Sequence, residues 1–323
     1  MTLQTNADTL VTIFGGSGFL GRHVVRALAK RRYRIRVAVR RPELANFLQP
    51  LGSVGQDHAV QANVRYPRSI EAAARGSNII INLVAILHER GAQRFDVVHA
   101  GGAERVALAA AAFGARLIHV SAIGADPDST SAYARTKAQG EASAFAAVPE
   151  GVIFRPSVLF GPEDDFFNRF AAMARFLPAL PLVGGGLTKF QPVFVGDVAE
   201  AIALAVDGKA RPGMIYELGG PEIRSFRQLM EYVLVTTGRK RLLMPLPFGL
   251  AKLQASVLQF LPKPPLTPDQ VELLRVDNIV SEIAQHEGRT LQGMGLTPTA
   301  IEAIVPAYLW RFRKSGQFQT SRI

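Results

Sequence analysis

Tyr133 and Lys137 bracket the run Tyr133-Ala-Arg-Thr-Lys137. On a helix this spacing is one turn, so both side chains face the same side. An ammonium beside a phenol favours the phenolate, which suits the pair to proton transfer near neutral pH. Ser121 follows the short run Arg116–Val120 and offers a hydroxyl that can hydrogen-bond a substrate carbonyl. Ser121, Tyr133 and Lys137 are therefore the candidate catalytic set, an acid–base group for chemistry at a carbonyl or an alcohol.

A second constellation is suited to binding. Gly15-Gly-Ser-Gly18-Phe-Leu-Gly21 has the spacing G-x-x-G-x-x-G, follows an apolar run and opens a stretch of helical periodicity. In that context Gly15 permits a sharp turn, Gly18 lets the backbone approach a pyrophosphate at the positive end of a helix, and Gly21 permits close helix–strand packing. The signal is that of a dinucleotide site. The next strand ends Val39-Arg40-Arg41-Pro42, where a site for NAD usually places a carboxylate. Arg40 instead offers a guanidinium to a ribose 2′-phosphate, and Arg22 a second charge, which points to NADP(H) rather than NAD(H). Glu43 is the only acid close by and falls past the strand end.

The elements that must position these groups follow from periodicity. Leu10–Phe14 is a short apolar run that stops at glycine, the pattern of a buried parallel strand. Helical spacing runs from Gly18 to Arg31, and Arg34–Val39 reads as a second strand. A third strand ends at Val60 and a fourth covers Asn78–Val84. An alanine-rich helix is expected over Phe95–Phe113, a strand over Arg116–Val120, a helix over Ser131–Ala147 and a sixth strand over Val152–Arg155. This alternation predicts an α/β protein, a Rossmann-type doubly wound parallel sheet over residues 1–156. Proline and glycine then punctuate the chain. Residues 157–323 are expected to form a smaller C-terminal α/β lobe interleaved with the sheet, serving substrate or docking. Ile301, Ile304, Val305, Tyr308 and Leu309 share helical spacing, so Pro298–Lys314 reads as a helix docked on the body. Phe248–Leu261 has one charge, Lys252, and reads either as a core helix or as an amphipathic contact with a partner or a membrane.

Composition narrows the function classes. The chain has 323 residues, 48% of them hydrophobic, enough for a sizeable buried core. It has no cysteine, which excludes disulfides, thiolate zinc sites and cysteine-ligated iron–sulfur clusters. Its six histidines show no metal-ligand pairing, and His88-Glu89 lacks the second histidine of a zincin helix. The formal charge is +11, with no acid between Arg22 and Arg41 and an acid-free tail carrying Arg311, Arg313, Lys314 and Arg322. Such a surface fits a phosphate ligand, an anionic membrane or an acidic partner. No nucleic-acid motif accompanies it, so nucleic acid is not an expected partner. Met1–Thr9 lacks a signal pattern and no stretch is apolar for long enough to span a bilayer, so a cytoplasmic chain without a transmembrane segment is expected.

The glycine turn, Ser121, Tyr133, Lys137, Arg155-Pro156 and Phe160-Gly161-Pro162 together resemble the extended or atypical short-chain dehydrogenase/reductase superfamily. Val195-Gly-Asp-Val-Ala199 resembles that superfamily's later helix start. Within it, Asn82–Leu87, His119–Ala122, Pro156–Asp164, Lys189–Asp197 and Tyr216–Pro221 are similar to the nucleotide-binding accessory subunit of respiratory complex I, in its bacterial branch. The resemblance covers nearly the whole chain. It implies tightly bound, structural NADP(H) and a peripheral place on the hydrophilic arm near the membrane and the quinone-entry region, here on the cytoplasmic face of the inner membrane. Its partners would be the other subunits of NADH:quinone oxidoreductase, with an anionic membrane surface beside them. The cofactor-binding set it implies is Gly15, Ser17, Gly18, Phe19, Leu20, Gly21, Arg22, Arg40, Asn63, Val64, Leu83, Val84, Tyr133, Lys137 and Pro156. Asn63 departs from the aspartate that many relatives place against adenine, although an asparagine can still pair with the base edge.

Three functions compete at this stage. One is the accessory subunit with a structural dinucleotide. Another is an active NADP-dependent reductase or epimerase acting on a small carbonyl or a sugar nucleotide, with Tyr133 as general acid/base, Lys137 as its activator and Ser121 as carbonyl donor. The third is a regulator that senses NADP(H) occupancy. The intact Ser-Tyr-Lys set favours the enzyme, and the family resemblance and basic surface favour the subunit.

Overall fold

The computed structural model describes residues 6–262 and 264–314, which leaves Arg322 of the basic tail outside them. In chain order the longer elements are β1 (Leu10–Phe14), α1 (Phe19–Lys30), β2 (Arg34–Val39), β3 (Asp57–Gln61), α2 (Pro67–Ala74), β4 (Ile79–Asn82), α3 (Gly101–Ala112), β5 (Arg116–Val120), α4 (Ala132–Ala147), β6 (Val152–Pro156), α5 (Phe167–Phe176), β7 (Ala179–Val183), α6 (Val195–Val206), β8 (Ile215–Leu218), α7 (Phe226–Thr236), β9 (Leu242–Leu246), α8 (Phe248–Leu258), α9 (Pro268–Leu273), α10 (Glu282–His286) and α11 (Ile301–Leu309). The chain divides into two compact units. The first takes in the chain up to Pro156 with Gly196–Leu218 and Ser281–Leu296; the second takes in Ser157–Val195, Gly219–Val280 and the chain from Thr297 onward.

The first unit is built on a seven-stranded parallel sheet in the order β8-β6-β5-β4-β1-β2-β3. Strand order reverses at β1, which pairs with β2 on one side and β4 on the other. Parallel strands covered on both faces need apolar side chains on both, and Val11, Ile13, Ile79, Ile80 and Ile81 are all buried. Phe14 stands opposite both Ala38 and Asn82, and Asn82 opposite His119. The carboxyl ends of β1, β2, β4 and β5 are thereby level, at the switch point where ligands bind in such sheets. Helix α1 buries Leu20, Val24, Val25 and Leu28. Each such aliphatic burial contributes about 1.5–3 kcal/mol.

Two elements of this unit differ from the periodicity by more than a residue at one end or by a break. The fourth strand stops at Asn82 rather than Val84, because the Asn82 Oδ1 accepts the Val84 N–H at 3.1 Å and turns the chain out of the sheet. The helix expected over Phe95–Phe113 is two pieces, a π-helical turn at Asp96–Ala100 followed by α3. The seventh strand, β8, lies beyond the six read from sequence; it pairs with β6 along Ile215–Leu218.

In the second unit β7 and β9 pair in parallel, with Leu180 opposite Leu243. Phe160, Phe167, Leu180, Phe226, Leu229, Val305 and Leu309 share its larger core. Helix α11 is shorter than expected, ending at Leu309 and followed by a 3-10 turn at Trp310–Phe312. It buries Ile301, Val305, Tyr308 and Leu309, and the Tyr308 hydroxyl donates to buried Asp164. Helix α8 is not a core helix. Its buried residues are Ala251 and Ala255, while Leu253 and Val257 are 66% and 70% exposed. No helix among the described residues is long and apolar enough to cross a membrane.

Candidate functional site

The turn after β1 is held from both sides. The Gly15 N–H donates to the Ala38 carbonyl at 3.1 Å, and the Gly18 N–H donates to the Gly15 carbonyl at 3.0 Å. Gly15 has φ +84°, a conformation that favours glycine. A Cβ at Gly21 would lie 2.5 Å from the Gly15 carbonyl oxygen and from Gly16 backbone, so only glycine lets α1 start this close to the turn. Gly18 is the N-cap of α1 and makes no side-chain capping bond. The first amides of the helix, those of Phe19, Leu20 and Gly21, thus form an end suited to an anion.

A pocket opens beside this turn. It is lined by Gly15, Ser17 and Gly18, by Arg40 at the end of β2, by Asn63, Val64 and Arg65 after β3, by Leu83–Ile86 after β4, and by Gln93. Among the described residues two arginines line it and no aspartate or glutamate does. Asn63 is partly committed to its own turn, its Oδ1 accepting the Arg65 N–H at 3.1 Å. Arg22 does not line this pocket; its guanidinium lies over the Phe47 ring, 4.9 Å from the centroid. The second cation of the pocket is Arg65 instead. Gln93 was not suggested by any motif. It becomes visible only through its contact with Arg40, whose Nη1 donates to the Gln93 Oε1 at 2.9 Å.

The Ser-Tyr-Lys set does not line this pocket; it gathers around the carboxyl end of β5 and the start of α4. Ser131 caps α4 by accepting the Ala134 N–H at 3.2 Å. Lys137, one turn past Tyr133, is buried and its Nζ donates to the Val120 carbonyl at 2.8 Å, next to Ser121. Burial lowers the Lys137 ammonium to about 8 from its usual value, a shift that Glu141 partly opposes. The Ser121 hydroxyl is buried and has no hydrogen-bond partner among the described residues, although its N–H donates to the Phe154 carbonyl at 2.7 Å. Such an orphan hydroxyl costs stability unless a ligand takes it up. Pro156 ends β6, and its carbonyl accepts the Ile123 N–H at 3.1 Å. Arg155 beside it clamps the helix, donating to Glu141 at 2.8 and 2.6 Å.

Two buried histidines lie behind the site: His99, which no motif includes, ties the pocket wall to α4, and His119, part of the run His119–Ala122, ties β5 to β4. The His99 Nε2 accepts the Ile86 N–H at 3.0 Å, so its Nδ1 carries the proton towards Thr136 Oγ1, 3.3 Å away. Burial, and then the Lys137 charge, push the His99 ring down to about 3, so it is neutral at physiological pH. Its ring meets Tyr133 edge-on at 5.1 Å and stacks on Phe95. His119, fully buried and held well below its ordinary value by burial first, accepts from Asn82 Nδ2 at 3.2 Å.

Comparison with known proteins fits this geometry. Residues 11–219 match the NAD dependent epimerase/dehydratase family. The chain belongs to that family. It has the NAD(P)-binding fold, with the glycine turn at the switch point of the sheet. The chain is 34% identical over 320 residues to the mitochondrial NADH dehydrogenase [ubiquinone] 1 alpha subcomplex subunit 9 of Arabidopsis thaliana, covering 95% of this chain and 79% of that one. It is 36% identical over 181 residues to a ceramide reductase of Caulobacter vibrioides, covering 56% of each. An NADPH-dependent quinone oxidoreductase of Escherichia coli, solved with NADPH, shares the fold at a TM-score of 0.73 and 19% identity, covering 93% of this chain and 99% of that one.

Proposed function

We propose that this chain is an NADP(H)-binding accessory subunit of NADH:quinone oxidoreductase, complex I of a respiratory chain, with the dinucleotide held as a structural ligand. The observation that carries this reading is the 34% identity to subunit 9 along 95% of the chain. The pocket supports the choice of NADP(H), since Arg40 and Arg65 line it without a carboxylate. Gly15, Ser17 and Gly18 with the α1 amides would hold the pyrophosphate, and Arg40 the 2′-phosphate. Leu83 and Val84 would lie along the cofactor. A ligand that binds only the folded state stabilises it by about 4 kcal/mol at a thousandfold excess over Kd, reason enough to keep a dinucleotide that is never turned over.

The other subunits of the complex are the partners in this reading, and its place is peripheral, on the cytoplasmic face of the membrane. The outward face of α8 supports that placement. Leu250, Leu253 and Val257 share one side of the helix, and no acid occurs between Glu231 and Asp269. Burial first, and then the charges of Arg241 and Arg175, lower the Arg239 guanidinium, so the three cations lie near one another. Basic and apolar groups together suit an anionic headgroup layer. Affinity purification from native membranes tests the assignment. Co-purification with the NADH:quinone oxidoreductase subunits and a bound NADP(H) is expected; a free protein without either removes it.

The unpartnered Ser121 hydroxyl favours a second reading, an active NADP-dependent reductase. Likeness to a ceramide reductase points to a carbonyl on an apolar molecule as its substrate class. The nicotinamide would supply the hydride to the carbonyl carbon. Tyr133 would give its proton to the oxygen, Lys137 would favour the resulting phenolate, and Ser121 would hold the oxygen by a hydrogen bond. Steady NADPH oxidation by purified protein with such a ketone, lost on Tyr133→Phe, distinguishes this reading from the first.

A further inference from the structure

Arg40 is exposed, and a free arginine side chain loses rotamer entropy when a ligand fixes it. Here the ordering is done in advance. Its Nη1 donates to the Gln93 Oε1 at 2.9 Å, which leaves the Nε and Nη2 edge of the fork available for a second, bidentate partner. Gln93 is itself fixed by backbone. Its N–H donates to the Arg90 carbonyl at 3.0 Å and the Arg90 N–H returns to the Gln93 carbonyl at 2.9 Å, a closed two-bond loop. That loop is moored at Phe95, whose N–H donates to Glu89 Oε1 at 2.8 Å and whose buried ring stacks on His99.

We propose that Gln93 is a specificity-determining residue of the pocket: it holds the Arg40 guanidinium in place for a ribose 2′-phosphate and leaves its charge unneutralised. This rests on the NADP(H) reading above. The chemistry of the residue is what makes the assignment. A carboxylate in this position would pair with Arg40 and cancel the charge, whereas a neutral amide oxygen orients the guanidinium without doing so. The amide nitrogen adds donors at the same end, and Arg65 adds a second cation. A dianionic phosphate ester is the ligand such a donor-only surface takes, and a bare ribose diol is not.

The test uses full-length protein and measures the affinities of NADPH and NADH separately, by calorimetry, for the wild type, Gln93→Ala and Gln93→Glu. Gln93→Ala is expected to weaken NADPH about tenfold and leave NADH within about twofold, the scale of one lost orienting contact. Gln93→Glu is expected to weaken NADPH about a hundredfold and bring the NADPH-to-NADH preference close to one, as a carboxylate takes the place of the phosphate. Gln93 is only partly buried, so unchanged melting temperatures of the ligand-free variants serve as the folding control. Equal weakening of both dinucleotides, or an unmoved preference in Gln93→Glu, overturns the role of Gln93 while leaving the pocket intact. Wild-type protein that takes up neither dinucleotide overturns the pocket reading, and this inference with it.

Discussion

The Lys137 ammonium donates to the Val120 carbonyl at 2.8 Å from a position that is only 2% exposed. One carbonyl does not replace the water a charge gives up on burial, and the ammonium is accordingly lowered to about 8 from 10.5. Below about 8 the group is charged in both folded and unfolded chains, and folding must bury that charge. Between about 8 and 10.5 the unfolded chain binds the proton and the folded one does not, so the cost is relieved as pH rises. Urea unfolding from pH 7.5 to 10.5 should therefore show a stabilising rise of up to about 3 kcal/mol in the wild type that is missing from Lys137→Met. Parallel pH profiles for the two proteins would show that Lys137 is not the group responsible.

Ser121 tests the same end of β5 in the opposite sense. Its buried hydroxyl has no hydrogen-bond partner among the described residues, so removing it removes a desolvation cost. Ser121→Ala should stabilise the ligand-free protein by about 1 kcal/mol, read as a shift in the denaturant midpoint at constant slope. A residue kept at a cost to stability is a residue kept for a ligand. A destabilised variant would mean that the hydroxyl is satisfied and would remove the argument for a carbonyl-binding role.

The glycine turn separates binding from folding. A Cβ at Gly21 would meet Gly15 and Gly16 backbone at 2.5 Å, whereas one at Gly18 meets only the Gly15 carbonyl oxygen, at 3.3 Å. Gly21→Ala should destabilise the ligand-free protein by about 2 kcal/mol or more, since backbone must shift to make room. Gly18→Val should destabilise the ligand-free protein less than Gly21→Ala does and abolish dinucleotide retention, because its side chain occupies the helix end where the pyrophosphate would lie. Retained dinucleotide in Gly18→Val would displace the pyrophosphate from α1.

Much of this was legible in the sequence, for identifiable reasons. Apolar residues carried β1, β2 and β5 to their observed ends although each run holds polar positions, Thr12 in β1, Arg34 and Arg36 in β2, Arg116 and His119 in β5. The glycine spacing gave the turn, because three separate steric demands fall on three positions. What the sequence hid is tertiary. Asn82 ends β4 through a side-chain bond that apolar periodicity does not register. The π-turn at Asp96–Ala100 lies inside an unbroken helical pattern. Arg65 rather than Arg22 lines the pocket, although both guanidiniums lie over a ring, Tyr66 and Phe47 respectively. Gln93 and His99 carry no motif at all; each acts through a partner distant in the chain, Arg40 and Ile86 respectively.

The composition of α8 left two readings open, and its exposure now makes them separable by experiment. A core helix would hide its large side chains, but here the buried positions are two alanines and the outward ones are Leu250, Leu253 and Val257. Leu253→Glu with Val257→Glu removes nothing from the core, since these side chains are 66% and 70% exposed, so the melting temperature should hold. If the helix rests on an anionic surface, burial of that face contributes about 25 cal/mol per Å² removed from water, and two carboxylates oppose it in both apolar and electrostatic terms. Full-length protein should sediment with vesicles of phosphatidylcholine and phosphatidylglycerol, less with phosphatidylcholine alone, and the double variant should stay in solution with both. Wild-type protein that ignores both vesicle types would return the α8 face to a protein partner, and with it the peripheral membrane placement.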